Sequence, residues 1–147
     1  MADFNEAIRI NPEFSDAYYN RGVLNLAKGN TAQAVADFNE AIHCNPKSDK
    51  AYNILAWVLA TSPDDGIRNG AKAVEYATKA CKLTGWTNPG WIDSLAAAYA
   101  EIGKFDEAFE WERRCLQLNI AKNDVEEIRK RLQLFLDHHA FRETPNS

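Results

Sequence analysis

The chain has 147 residues, of which 46% are hydrophobic and 26% charged, the composition of an ordinary globular domain with one core. Its formal net charge of −4 at pH 7 argues against a nucleic-acid partner, because such binding depends on clustered Lys and Arg. No apolar run reaches the roughly 20 residues that a membrane span requires, so no membrane association is expected.

The three cysteines do not form the pattern of a metal site or of a disulfide framework. Cys44, Cys81 and Cys115 are an odd number of thiols without a Cys-x-x-Cys pair, and each falls near the end of an apolar-periodic stretch. We therefore expect buried, reduced thiols in a reducing compartment, which predicts a cytoplasmic location.

The hexapeptide DFNEAI occurs at residues 3–8 and again at residues 37–42, 34 positions later. A fixed offset of this size indicates stacked supersecondary units. The first copy predicts a helix over residues 2–11 with no first helix before it, so we expect the chain to open in the middle of a repeat.

A complete helical hairpin follows this first helix. Residues 15–28 place small and apolar side chains on one face at helical spacing and end at the stop signal Gly29-Asn30. A second helix comes next and closes at Asn45-Pro46, because proline cannot continue the hydrogen-bond ladder. The pattern predicts two paired helices joined by a short turn.

The residues of this hairpin resemble the tetratricopeptide repeat, whose pattern is W-x2-L-G-x2-Y, then A-x3-F, then P, over 34 residues. Five positions agree in register, with Tyr in the Trp place: Tyr18, Gly22, Ala34, Phe38 and Pro46. Arg21 and Asn25 depart from the Leu and Tyr of the pattern. The resemblance covers roughly residues 3–119 and implies an all-α solenoid of antiparallel helix pairs.

The second repeat carries five extra residues between its helices. Ala73 follows Ala56 by 17 positions, whereas Ala34 follows Gly22 by 12. The third repeat returns to the shorter spacing and lacks the closing proline. We expect the insertion to lengthen the turn without breaking the hairpin.

The inserted residues lie in the loop SPDDGIRNG at residues 62–70. We expect Asp64 or Asp65 to cap the next helix, Arg68 to hold the loop through a carboxylate, and residues 73–83 to remain helical. The loop and the helix after it are similar to a segment common in bacterial multi-repeat proteins of this family, which implies a bacterial source.

The resemblance thus implies one solenoid domain over residues 1–147. Its expected parts are an N-terminal half-repeat (3–14), three full repeats (15–48, 49–88 and 89–121) and a C-terminal capping helix (122–140). Helical spacing predicts that the packed side of this last helix carries Val125, Ile128, Leu132, Phe135 and Leu136. Asn123 and Glu126 are expected to form a capping box at its start.

A stack of tilted hairpins has a concave surface lined by its first helices, which predicts a protein-binding scaffold that takes a peptide or partner helix. The predicted groove residues are Asp16, Tyr19, Asn20, Val23, Lys50, Asn53, Trp57, Asp93, Ala97 and Glu101. Asparagine hydrogen-bonds a peptide backbone through donor and acceptor, while Tyr and Trp supply contact area. Two alternatives stay open: Trp57 packs between repeats, and Asn53 caps a neighbouring helix.

The charges of this surface predict a preference among ligands. Asp16, Asp93 and Glu101 outnumber Lys50, so the groove should favour neutral or basic segments. Family members that bind acidic chaperone tails use a clamp of Lys, Asn and Arg. This chain has in those places Tyr19, Val23, Ile54, Gly90 and Ser94, so chaperone-tail binding is not expected.

Two functions of different kinds remain. One is groove binding of a protein or peptide whose identity the sequence does not encode. The other is a structural segment that forms a homodimer or larger stack through its open N-terminal half-repeat, where Phe4 or Ile8 should be partly uncovered. The sequence contains neither a glycine-rich phosphate loop nor a convergent set of acid, base and nucleophile, so we expect no enzyme, cofactor or metal site.

Overall fold

The computed structural model describes residues 1–118 and 120–144, and within them the chain forms α-helices and no strand. The eight helices of these residues are α1 (Ala2–Ile10), α2 (Ser15–Ala27), α3 (Thr31–Cys44), α4 (Asp49–Thr61), α5 (Gly70–Leu83), α6 (Pro89–Glu101), α7 (Phe105–Leu116) and α8 (Lys122–Leu136). The predicted all-α class is confirmed.

Consecutive helices pack as hairpins, and the hairpins stack on one another. The most extensive contacts join α2 to α3, α4 to α5 and α6 to α7. Further contacts connect each pair to the next: α4 packs on α3, α6 on both α4 and α5, and α8 on α7. This succession of helix pairs is an α-solenoid, as predicted.

The close approach of α2 and α3 depends on Gly22. A Cβ atom at this position would lie only 2.6 Å from Cε1 of Phe38. The Phe38 ring fills the space and is fully buried, together with Ala34 and Ala41 on the same helix. Small residues at these positions therefore allow the dense packing that joins the two helices.

The two departures from the repeat pattern, Arg21 and Asn25, both bind Asp37. Asp37 is 1% exposed. Its carboxylate accepts hydrogen bonds from Arg21 Nη2 at 2.7 Å and from Asn25 Nδ2 at 2.9 Å. Because an unpaired buried charge is costly, these partners are what allow Asp37 to lie between α2 and α3.

Helix α1 repeats the hexapeptide DFNEAI of α3 but has no counterpart of α2 before it among the described residues. Its Asp3, Phe4 and Ala7 correspond to Asp37, Phe38 and Ala41. The three α3 residues are at most 1% exposed, whereas α1 has no buried residue. Phe4 and Ile8 are only partly buried, which confirms the expected exposure.

The inserted loop leaves the second hairpin intact. Helix α5 extends over Gly70–Leu83, so the prediction of a helix at residues 73–83 is confirmed. The predicted cap is wrong. Asn69 caps α5 by accepting from the Lys72 amide at 3.1 Å, while Asp64 accepts from the Gly66 amide within the loop. Asn69 takes this role because it directly precedes the first helical residue.

Helix α8 ends earlier than predicted, at Leu136, and it has no capping box because the side chain of its N-cap residue, Ala121, accepts no hydrogen bond. His138 adopts a left-handed backbone conformation with φ of 59°, and the His139 amide donates to the Leu134 carbonyl at 2.8 Å. This reversal terminates the helix. It also leaves Leu136 58% exposed, so its predicted place on the packed side is wrong.

The three cysteines are free thiols. Cys81 and Cys115 are buried, and burial raises the pKa of each to about 12. Cys44 is only partly buried, so the expectation of three buried thiols is wrong for this residue. It lies near the end of α3, where its thiol is 3.7 Å from the Pro12 carbonyl.

Candidate functional site

The first helices of the three hairpins, α2, α4 and α6, carry the predicted groove residues, and we call the surface they share the inner face. On α4, Lys50, Asn53 and Trp57 are three and four positions apart, which places them on one side of the helix. Thr61 continues this row one turn later. The row on α4 therefore forms the middle of the inner face.

The part of the inner face nearest the N-terminus is open. Asp16, Asn20 and Val23 are exposed on α2. Lys50 reaches across from α4, with its Nζ 3.0 Å from the Asp16 carboxylate and 4.6 Å from the centre of the Tyr19 ring. These contacts bring Asp16, Tyr19 and Lys50 together, and we call these three residues, with Asn20 and Val23 on the same side of α2, the open half.

Asn53 lies between the open half and Trp57. Its side-chain oxygen is buried and accepts no hydrogen bond from any residue that the structure describes. A buried acceptor without a donor is costly, and because this oxygen is inaccessible here, a ligand would bind the Asn53 amide only after the side chain turned outwards. The alternative that Asn53 caps a neighbouring helix is not what the structure shows, since Ser48, Asn69 and Asn88 supply the side-chain caps.

Trp57 contacts residues from the far end of the chain. Its indole Nε1 donates to the Glu143 carboxylate at 2.9 Å, and its ring lies 5.6 Å from the ring of Phe141. The guanidinium carbon of Arg131 is 5.8 Å from the Trp57 ring and 5.6 Å from the Phe141 ring. Trp57 is thus partly buried beneath a segment that follows α8.

This segment, residues 140–144, has no helical structure and returns to the inner face; we call it the returning segment. The Glu143 amide donates to the Thr61 carbonyl at 2.9 Å. Arg142 places Nη1 2.6 Å from Oε2 of Glu101. Main-chain and side-chain groups of the returning segment therefore both bind the inner face.

Glu101, at the end of α6, is shared between two cations. In addition to its ion pair with Arg142, Glu101 accepts a hydrogen bond from Nε of Arg68 at 3.1 Å, and its side chain is 14% exposed. Arg68 also donates to the Ser62 carbonyl at 2.6 Å and pairs with Asp65. The prediction that Arg68 holds the inserted loop through a carboxylate is confirmed.

Asp93 belongs to a mostly buried cluster at the edge of the inner face. Arg131 donates from Nη2 to Asp93 at 2.8 Å and from Nε to Glu112 at 3.2 Å. Burial raises the pKa of Glu112 to about 9, and the adjacent Asp93 carboxylate adds to the rise. Burial also raises the pKa of Asp93, while Arg131 opposes that rise. The Asp93–Glu112 pair therefore retains a proton at neutral pH.

These ion pairs alter the charge of the inner face. Asp16 is paired with Lys50, Asp93 with Arg131, and Glu101 with both arginines described above. The negative excess counted from the sequence is therefore largely compensated by residues outside the predicted set. Ala97 is 2% exposed and belongs to the apolar core together with Leu55 and Ala98.

The sequence prediction missed Thr61, Arg131 and the returning segment. Thr61 continues the α4 row at helical spacing, so the same periodicity could have predicted it. Arg131 and the returning segment follow the last repeat, and no periodic pattern connects them to the inner face. Trp57 and Glu143 are 86 positions apart, which is beyond any local sequence signal.

Neither a metal centre nor a membrane-spanning helix was found in the described ranges. Within residues 1–118 and 120–144, no group of three or more His, Cys, Asp or Glu side chains is arranged to hold a metal ion. In the same ranges, no helix combines the length and apolar character needed to cross a bilayer.

Comparison with known proteins identifies the first full hairpin. The family model of the tetratricopeptide repeat matches residues 15–48, the range of α2, α3 and the turns that flank them. No curated protein matches the chain. Tetratricopeptide repeats generally mediate protein–protein interaction, and proteins of this family are typically scaffolds without enzymatic activity.

Proposed function

We propose that this chain, a tetratricopeptide repeat protein, is a scaffold whose inner face binds an extended peptide or partner helix of another protein. The bound segment would cross the open half, pass Asn53 and reach Trp57. This path follows the row of side chains on α4.

The observation that supports the proposal most is the returning segment. Its residues 141–143 contact the inner face through an aromatic ring, an ion pair and a main-chain hydrogen bond. These are the interactions by which a peptide from another protein would bind. The same groups on α4 and α6 are therefore suited to receive a peptide.

The open half supplies contacts that the returning segment does not use. Val23 is 38% exposed, and Tyr19 and Lys50 are partly exposed beside it. Asn53, partly exposed, lies between this group and Trp57. A partner longer than the returning segment would gain contacts here, and the pairing of Asp16 with Lys50 leaves the open half without a strong preference for charge.

Site-specific photo-crosslinking tests where partners bind. A photoreactive amino acid at Val23 lies on the inner face, and the same amino acid at Lys79 is exposed on α5, a second helix, and serves as the matched control. We expect a partner to crosslink at position 23 and not at position 79. Equal crosslinking at both positions would contradict the proposal.

Substitutions on α4 then test the contribution of individual residues. Asn53→Ala and Trp57→Ala should each weaken binding of the crosslinked partner by roughly 1 to 3 kcal/mol, the range of good interface anchors. Asn39→Ala, at an exposed position on α3, is the control. Thermal unfolding separates the two interpretations of Trp57, because truncating a tryptophan wedged between repeats would cost about 3 to 5 kcal/mol.

Self-association through α1 is a second candidate function, favoured by the exposure of apolar side chains on and beside this helix. Helix α1 has no buried residue; its last residue, Ile10, is 70% exposed, and Phe14, in the turn that follows, is 44% exposed. We infer that a second copy covers this surface at high concentration. Light scattering should show a mass above that of the monomer, reduced by Phe4→Glu. A monomer at high concentration with or without the substitution would exclude this function.

The cellular context is part of the same proposal. We propose a cytoplasmic location, which free thiols at all three cysteines support because such thiols fit a reducing compartment. A bacterial source remains a prediction from the loop segment.

A further inference from the structure

The returning segment contacts the inner face through three consecutive residues, each with a different type of interaction. The Phe141 ring packs on Trp57, the Arg142 guanidinium pairs with Glu101, and Glu143 binds both Thr61 and Trp57. Every one of these contacts spans a long distance in sequence. They are directed to α4 and α6, the elements that carry the proposed binding site.

We propose that the returning segment is a built-in competitor of the partner. It occupies the Trp57 end of the inner face in cis, and the partner is an extended peptide with an aromatic residue directly followed by arginine and then a hydrogen-bond acceptor. This inference rests on the proposed function, because it assigns the ligand class and the regulation of the same site.

The geometry before the segment supports a directed return of the chain. His138 has a positive φ, and its ring stacks on Phe105 with centroids 5.2 Å apart and planes 10° from parallel. The amides of His138 and His139 bind carbonyls in the last turn of α8. Ala140 then packs on the cluster that contains Phe135. The turn is therefore held by its own contacts, which determine where the next residues begin.

The groups around Trp57 on the inner face explain the order of residues in the proposed ligand. Trp57 and Arg131 together form a site for an aromatic ring, since the guanidinium lies within 6 Å of both rings. Glu101 supplies a carboxylate for the arginine that follows. The Trp57 indole N–H requires an acceptor, which Glu143 provides. A peptide with the same order of groups would satisfy the same three positions.

Tethering gives the segment an advantage over a free peptide. A short linker holds the tethered group at an effective concentration on the order of millimolar. A free peptide binds only the fraction of molecules in which the site is vacant, so its apparent affinity falls by that fraction. Weakening the segment should therefore increase the affinity for a peptide without any change in the inner face.

The test uses a fluorescent peptide with the sequence of residues 138–144, HHAFRET, and measures its binding to the full chain by anisotropy. Phe141→Ala in the chain removes the ring on Trp57, and Leu83→Ala, at an exposed position on α5, is the control. We expect Phe141→Ala to tighten peptide binding at least 10-fold relative to both the unaltered chain and the control. Equal affinity in all three chains overturns the proposal.

A second variant distinguishes a change in peptide binding from a change in folding. Glu143→Ala removes only the acceptor of the indole and should tighten binding in the same direction by a smaller factor. Addition of Trp57→Ala to the Phe141→Ala chain should abolish peptide binding. Persistence of binding in that double variant would place the peptide elsewhere and overturn the proposal.

Hydrogen exchange of the Glu143 amide distinguishes failure of this inference from failure of the proposed function. In the unaltered chain the amide should be protected by its bond to Thr61. If it is unprotected while the peptide binds in a Trp57-dependent manner, the segment is not a competitor and only the proposed function stands. If it is protected but no peptide binds the Phe141→Ala chain, this inference fails, and the proposed function is decided separately by the crosslinks at Val23 and Lys79. If the unaltered chain forms a dimer and Phe141→Ala dissociates it, the returning segment binds the inner face of a second copy, and the proposal of binding in cis is overturned.

Discussion

Glu112 is an acidic residue whose pKa is raised strongly by burial. It is fully buried, and its neighbours are one carboxylate, Asp93, and one guanidinium, Arg131. With Glu112 protonated, the three groups have no net charge, and the proton allows a hydrogen bond between the two carboxyl groups. This neutral arrangement is what makes the burial of two acidic side chains tolerable.

The raised pKa of Glu112 predicts that stability declines with rising pH. Its pKa is about 9 in the folded protein and 4.5 as the ordinary value, so between these limits the folded state holds one more proton than the unfolded state. Stability is therefore fully present below pH 4.5 and is lost as the pH rises through 9, with a slope of at most about 1.4 kcal/mol per pH unit. Urea unfolding measured from pH 6 to pH 9 checks this.

Glu112→Gln and Glu110→Gln form a matched pair for that experiment. Gln at position 112 keeps a donor for Asp93 and an acceptor for Arg131 but does not titrate, so the decline in stability should become shallower. Glu110 is exposed and pairs with Arg113, and its replacement should leave the slope unchanged. An identical slope in the Glu112→Gln variant would show that Glu112 is ionised in the folded state.

The cysteines provide an independent measure of local burial. Only the thiolate reacts with iodoacetamide, and burial raises the pKa of Cys81 and Cys115 to about 12. At pH 8 we expect mass spectrometry to find modification of Cys44 alone in the folded protein, and of all three cysteines in denaturant. Rapid modification of Cys81 without denaturant would mean that the contact of α5 with the core opens readily.

At the scale of the helices, the comparison of α1 with α3 shows how context changes the role of one sequence. Asp37 is buried because Arg21 and Asn25 on α2 bind it, whereas Asp3, its counterpart in α1, is exposed. The hexapeptide is identical in both helices. A neighbouring first helix therefore supplies the difference in burial.

Loss of the Arg21 guanidinium should destabilise the first hairpin strongly. Arg21→Ala leaves the Asp37 carboxylate buried with Asn25 as its remaining partner, and breaking a buried pair in this way costs about 3 to 5 kcal/mol. Arg9→Ala removes an arginine from an exposed pair with Glu6 and should have little effect. Urea unfolding of both variants measures the difference, and equal stability would contradict the assigned role of Asp37.

The hairpins were predictable because their signals are local. Gly22, Ala34 and Phe38 repeat at helical spacing, and the turns contain glycine or proline, so the helices were located within a few residues. The end of α8 could not be predicted in this way. A histidine in a left-handed conformation is rare, and His138 is held in it partly by the Phe105 ring. The cap of α5 was missed because three polar residues in one loop were equally plausible by type.

At the scale of the whole molecule, the proposed binding surface is shared between the repeats and the residues that follow them. The repeat pattern predicted which side chains share one side of α2 and of α4, and their role in binding stays a prediction. Trp57 was predicted as either a groove residue or a wedge between repeats, whereas it lies beneath Phe141 and binds Glu143. Contacts across 86 positions depend on the completed fold, so sequence periodicity could not reveal them.

The indole resonance of Trp57 tests most directly whether a peptide segment docks on the inner face. Trp57 and Trp91 both donate from Nε1 to a carboxylate, Glu143 and Asp49 respectively, so Trp91 is an internal control in the same spectrum. The Trp57→Phe variant assigns the Trp57 signal, because that signal disappears from its spectrum. Glu143→Ala should then shift the Trp57 signal and accelerate hydrogen exchange of the Trp57 indole N–H. The Trp91 signal should stay in place. A Trp57 signal that is unmoved by Glu143→Ala would contradict docking of the returning segment on the inner face.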